Sequence, residues 1–187
     1  TWSEMMRLDS FGNLHVPGGG GIASNEAFGT GALKSNTTGS LNSAVGVNAL
    51  QSNTTGYYNS AMGVNALLYN TTGNFNSAVG VSALQANTTA SNNTAIGYAA
   101  GYSNTTGSIT SLGYRAGYTN STGTYNTAVG QNALYSNATG TNNTAVGLNN
   151  LYASTGDNNT SIGGQTLTSN TSGSYNTGLG ALALYNN

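Results

Sequence analysis

The sequence predicts an all-β fold, a parallel β-solenoid or β-roll of about ten coils, each about 17 residues long. Three observations predict it. A short motif recurs at a nearly constant interval, glycine, asparagine and threonine crowd out the good helix formers, and a turn sequence falls at the same place in each copy.

The interval is read from the glycine that follows the bulky apolar residue in "AVG". Those glycines are Gly29, Gly46, Gly63, Gly80, Gly97, Gly113, Gly130, Gly147, Gly163 and Gly180. The step between them is constant except from Gly97 to Gly113 and from Gly147 to Gly163, where it is shorter by a single position. The consensus is N-[ST]-A-Φ-G-x-x-A-L-x-x-N-T-T-G-x-x, with Φ large and apolar. A helical-hairpin repeat needs about 34 residues, and Gly, Asn and Thr favour helix poorly. Short strands and turns wound into coils fit the period, and ten coils stacked about 4.8 Å apart make a rod of roughly 45–50 Å.

Residues 1–24 precede the coils. Apolar residues alternate on either side of Asp9, Gly12 and Asn13, which reads as a β-hairpin, and the four glycines at 18–21 read as a flexible joint. The coils occupy 25–187. Ala44-Val45-Gly46 and its copies are expected to form one strand, and Ala49-Leu50 and its copies a second. "NTTG" is expected to turn the chain, Asn tolerating the left-handed region and Gly supplying positive φ. The asparagines that open the copies (Asn42, Asn59, Asn76, Asn93, Asn126, Asn143, Asn159, Asn176) are expected to stack as an amide ladder, interrupted at Ile109.

Two apolar positions per coil are expected to fill the core. The first is Φ: Phe28, Val45, Met62, Val79, Ile96, Leu112, Val129, Val146, Ile162 and Leu179. The second is Leu33, Leu50, Leu67, Leu84, Leu134, Leu151, Leu167 and Leu184, with Gly101 and Gly117 standing in its place in two coils. Each of the two short copies loses its residue near a turn, one around residues 107–109 and one at "ASTG". Further departures fall at Asn150 and Asp157.

Two large side chains per coil contribute about 3–6 kcal/mol, while ordering a residue's backbone costs about 1–2 kcal/mol. The deficit predicts an obligate homo-oligomer. The small residues Ala44, Ala61, Ala78, Ala95, Ala128 and Ala145 are expected to let a neighbouring subunit approach. The last copy stops mid-repeat at residues 185–187, which points to truncation, to continuation or to end-to-end docking on another subunit.

Two stretches carry a family resemblance. "MRLDSFGNLHV" (residues 6–16) is similar to the "RIDSSGNVGIGT"-type segment of bacteriophage tail-fibre proteins, departing from it after Leu14. The "NTAVGxNALxxNTTG" copies resemble tail-fibre repeats of aquatic phages and, more loosely, the "AIG" head repeats of YadA-like trimeric adhesins. The resemblance covers nearly the whole chain. It implies a homotrimeric fibre, located in the virion tail fibre, that acts as a stiff shaft or receptor-binding region for host surface glycans. The alternative is a cellular extracellular fibril or trimeric adhesin at the cell surface, and a minor alternative is an ice-binding solenoid.

Composition argues against other classes. Only 4% of the 187 residues are charged and the net charge is −1, which gives no footprint for nucleic acid. No apolar run reaches the length of a membrane span. The four acids, Glu4, Asp9, Glu26 and Asp157, are too scattered for a paired-carboxylate hydrolase. The single histidine, His15, sits in the hairpin without an obvious nucleophile. The expectation is a non-enzyme with no metal or cofactor.

Three surface features invite interaction. The twelve tyrosines, among them Tyr57, Tyr58, Tyr69, Tyr102, Tyr118, Tyr135 and Tyr152, suit either stacking on a sugar face or packing between subunits. Twelve N-x-[ST] sequons occur, and Asn36, Asn53, Asn70, Asn87, Asn104, Asn120, Asn137 and Asn170 are the candidate glycan acceptors, although the same sequence is good turn chemistry. The paired threonines from Thr37/Thr38 to Thr105/Thr106 lie in a turn, where neighbours cannot share one face.

Overall fold

The computed structural model describes residues 24–187 and the backbone of two short strands before them, β1 (Arg7–Leu8) and β2 (Leu14–His15). These two pair antiparallel, Arg7 opposite His15 and Leu8 opposite Leu14. The expected turn at residues 9–13, the glycine joint at 18–21, Glu4 and Asp9 lie outside the described residues.

The remaining ten strands form one parallel sheet in chain order. They are β3 (Glu26–Phe28), β4 (Ser43–Val45), β5 (Ser60–Met62), β6 (Ser77–Val79), β7 (Thr94–Ile96), β8 (Ile109–Leu112), β9 (Asn126–Val129), β10 (Thr144–Val146), β11 (Thr160–Ile162) and β12 (Thr177–Leu179). Each pairs in register with the same repeat position one coil on, Ala44 opposite Ala61 and Val45 opposite Met62, for example. The chain is therefore a β-solenoid of about nine turns, roughly 43 Å long at about 4.8 Å per turn, with no helix among the described residues.

Each coil contains one strand, not two. The expected second strand is a turn, because the leucine there adopts the left-handed conformation, with φ of 50° at Leu50 and Leu67 and 49° at Leu84 and Leu134. That conformation costs an L-residue about 1–2 kcal/mol. Complete burial of a leucine returns about 1.5–3 kcal/mol, so the turn is stable only because its side chain points inward. Leu33, Leu50, Leu67, Leu84, Leu134, Leu151 and Leu167 are all fully buried. Leu184 departs from this row and is 46% exposed.

The bulky Φ row does not lie in the core of the chain. Phe28, Val45, Met62, Val79, Ile96, Leu112, Ile162 and Leu179 are exposed, and Val129 and Val146 are half-buried. Successive strand residues face opposite sides, so Ala and Φ cannot both point inward. The alanines do: Ala44, Ala78, Ala95, Ala128 and Ala145 are completely buried and Ala61 nearly so. They line the inside of the coil and do not clear space for a neighbouring subunit. The glycine after Φ is required twice over. Gly46 has φ +134°, and a Cβ there would strike the Gly63 carbonyl of the next coil.

The rest of the interior is amide. The first ladder is present, and Asn25 extends it. The backbone N–H of Asn59 donates to Asn42 Oδ1 (2.9 Å), and Asn59 Nδ2 donates to Asn42 Oδ1 (3.1 Å) and to the Gly73 carbonyl (2.8 Å). A second buried ladder runs beside it through the asparagine of "NTTG". Asn70 Nδ2 donates to Asn53 Oδ1 (2.8 Å) and to the same Gly73 carbonyl (3.0 Å). The turn glycine closes the coil between the two ladders. Its φ is not positive; a Cβ on Gly73 would meet Asn70 Oδ1 and the carbonyl of Ala90. Positive φ falls instead two residues later, at Tyr58, Phe75, Asn92 and Asn142.

Candidate interaction surfaces

The ladder geometry removes the eight candidate glycan acceptors. Asn36, Asn53, Asn70, Asn87, Asn104, Asn120, Asn137 and Asn170 are 0–4% exposed. Their Nδ2 atoms, where a glycan would attach, donate inside the coil, as Asn104 does to Asn87 Oδ1 (3.2 Å) and Gly107 O (3.1 Å). Three other sequon asparagines, Asn92, Asn142 and Asn158, are exposed, because they occupy the left-handed bend just before the first ladder.

The paired threonines divide their work. The first hydroxyl of each pair bonds to the coil beyond, as Thr54 Oγ1 does to the Thr71 carbonyl (3.0 Å). The second threonine, at Thr55, Thr72, Thr89 and Thr106, is exposed in single file. Of the acids, Glu26 opens the first coil and accepts from Ser43 Oγ (3.3 Å). Asp157 lies between β10 and β11 and accepts from the backbone N–H of Thr141 (2.7 Å). The fold keeps these two apart.

An apolar surface runs along the outer face of the sheet. The Φ side chains form one rank along the rod, and the residue after each glycine forms a second: Val47, Val64, Val81, Tyr98, Tyr114 and Leu148, 41–48% exposed. The two ranks run side by side over most of the stack. The sequence alone did not mark this stripe, since Φ and the alanine beside it are both apolar.

A different face carries a ladder of rings. Tyr102, Tyr118, Tyr135 and Tyr152 stack one per coil, with centroids 5.1, 5.1 and 5.0 Å apart and planes within 14°, 6° and 4°. Their recurrence once per copy was visible in the sequence as a column of the repeat. The rings cover one another's faces, so the interior of the ladder offers no face to a ligand. Beside it, the Arg115 guanidinium lies over Tyr114 (5.3 Å), Tyr118 (5.3 Å) and Tyr98 (6.0 Å). Loss of hydration works against the Arg115 charge, yet the phenols of Tyr114, Tyr135 and Tyr118 outweigh it and hold the group above its ordinary value.

The two short coils disturb this order. At the first, Ile109 takes a ladder place, its side chain turns inward, and a hollow of about 480 Å³ opens outside it between Asn92, Ser108 and Tyr125. At the second, Ser154 replaces a ladder asparagine, leaving Asn137 Oδ1 and Ser154 Oγ buried without hydrogen bonds.

Comparison with known protein families, curated proteins and solved structures returned no match.

Proposed function

We propose that the chain is an adhesive fibre segment, a homotrimeric shaft or receptor-binding region of a phage tail fibre that contacts host surface glycans. The observation that carries this reading is the double apolar rank on the outside of the sheet. A monomeric protein rarely exposes a contiguous apolar patch of more than a few hundred Å². A stripe that repeats with every coil is matched best by the same stripe on an identical chain, which has the same period and the same length. The threefold order and the phage setting rest on the resemblance of the repeats. A stack with almost no charge and many equivalent coils suits adhesion by multiplicity rather than by one strong contact.

Sedimentation tests the assembly. The expected result is a mass three times that of the single chain, holding as concentration rises. Open-ended growth with concentration would favour a cellular fibril assembled head to tail, and a stable monomer would refute both. Val79→Lys with Ile96→Lys places two charges in the stripe. We expect this variant to sediment as a folded monomer with an unchanged β-type circular dichroism spectrum.

A further inference from the structure

We propose that the gap left by Thr168 in the tyrosine ladder is a binding slot for one pyranose ring of a neutral glycan. The inference rests on the adhesive reading and gives it a site. The ladder column continues past Tyr152 to Thr168 and Tyr185. The carbonyls of Tyr152, Thr168 and Tyr185 accept in turn from the backbone N–H of Ser136, Ala153 and Ser169, at 2.9, 3.2 and 3.1 Å, so the three residues occupy one place in successive coils. Thr168 is the rung without a ring. At the ladder's own spacing of 5.0–5.1 Å, Tyr152 and Tyr185 stand about 10 Å apart, two strand spacings of the stack. That separation admits a single ring at normal stacking distance from both.

The space is a shallow, open groove of about 290 Å³ lined by Asn132, Asn149, Tyr152, Gln165, Thr168 and Tyr185. Its chemistry is that of a sugar site, with aromatic walls and amides at the edge. Asn149 Oδ1 accepts from Asn132 Nδ2 (3.0 Å), and Thr168 Oγ1 donates to the Asn149 carbonyl (3.3 Å). Asn149 Nδ2, Asn132 Oδ1 and the Gln165 amide are left to meet equatorial hydroxyls, while the C–H faces of a pyranose meet the rings. None of the six lining residues is charged, which disfavours a nucleotide, whose phosphates call for cationic partners. Inside the ladder every ring face is covered, and at the missing rung a flat ligand can meet a ring on either side.

The test uses the full chain and methyl pyranosides of glucose, galactose, mannose and N-acetylglucosamine, read by saturation-transfer NMR. At least one pyranoside is expected to bind with a millimolar Kd. Thr168→Tyr supplies the missing ring from within and is expected to weaken binding at least tenfold without lowering the melting temperature. Tyr185→Leu removes one wall at an exposed position and is expected to weaken binding to a similar degree. Undiminished binding in Thr168→Tyr, silence from all four pyranosides, or binding of adenosine in their place would each overturn the slot. Retention of a bacterial polysaccharide by Thr168→Tyr as tightly as by the unmodified chain would also overturn it, yet leave the adhesive reading intact. Pyranoside binding by an unmodified chain that sediments as a monomer would sustain the slot and sink the trimeric fibre.

Discussion

Asparagine at the head of a regular repeat bonds in both directions along the rod: its backbone N–H and Nδ2 donate to the Oδ1 of the coil before, Nδ2 donates also to the turn-glycine carbonyl, and its own Oδ1 accepts from the coil after. Such a buried amide is tolerated because its hydrogen bonds are met, and an unmet one costs about 1–3 kcal/mol. Ser154 is where the neighbouring ladder fails. Ser154→Asn should supply Asn137 Oδ1 with its donor and raise the unfolding free energy by about 1 kcal/mol, measured by urea titration. A second comparison separates the two apolar rows. Leu67→Ala should cost about 2–5 kcal/mol, as cavity-forming core changes do. Met62→Thr in the same coil should change the unfolding energy of the dissociated chain by no more than about 0.5 kcal/mol. The repeat period and the first amide ladder were legible because the residues recur. The inward side of the strand was not: both Ala and Φ are apolar, and side-chain size favoured the wrong one. Only the width of the coil, which admits one leucine and two alanines, decides it.

Coils tolerate substitution when the whole coil answers. Where Gly101 and Gly117 replace the core leucine, they keep its backbone conformation, with φ of 58° and 59°. The space is refilled from a ladder position. Ile109 turns inward, 2% exposed, and a Cβ on Gly117 would collide with its side chain. The ladder absorbs the change, since Asn93 Oδ1 still receives the Ile109 backbone N–H (2.7 Å) and Asn126 Nδ2 turns to Asn120 Oδ1 (2.8 Å). Ile109→Asn alone should therefore empty the core and cost about 2–5 kcal/mol. Adding Gly101→Leu and Gly117→Leu should recover much of that loss, whereas the two glycine changes without Ile109→Asn should destabilise by crowding. Thermal denaturation of the four proteins checks the cycle. Residues 101, 109 and 117 stood out in the sequence as breaks. That they compensate one another was not readable, because it depends on which side chains share the interior.

As a whole molecule, the solenoid resembles a one-dimensional stack in which each coil contacts only its neighbours. Its two long faces differ in what they offer. The sheet face is apolar and continuous, which suits a partner of equal length, and the tyrosine column is broken at one rung, which suits a small guest. Neither face was visible as a surface in the sequence, since both emerge only when coils are laid in register. That register has a consequence for inheritance. Each strand pairs with the same repeat position one coil on, and the same turn and ladder bonds recur from coil to coil, so duplicating or deleting one coil's coding sequence within a regular stretch leaves the cross-section unchanged. Unequal recombination between such near-identical stretches would lengthen or shorten the rod by about 4.8 Å per event without requiring any other residue to change, and descendants of this chain could differ in reach before they differ in fold.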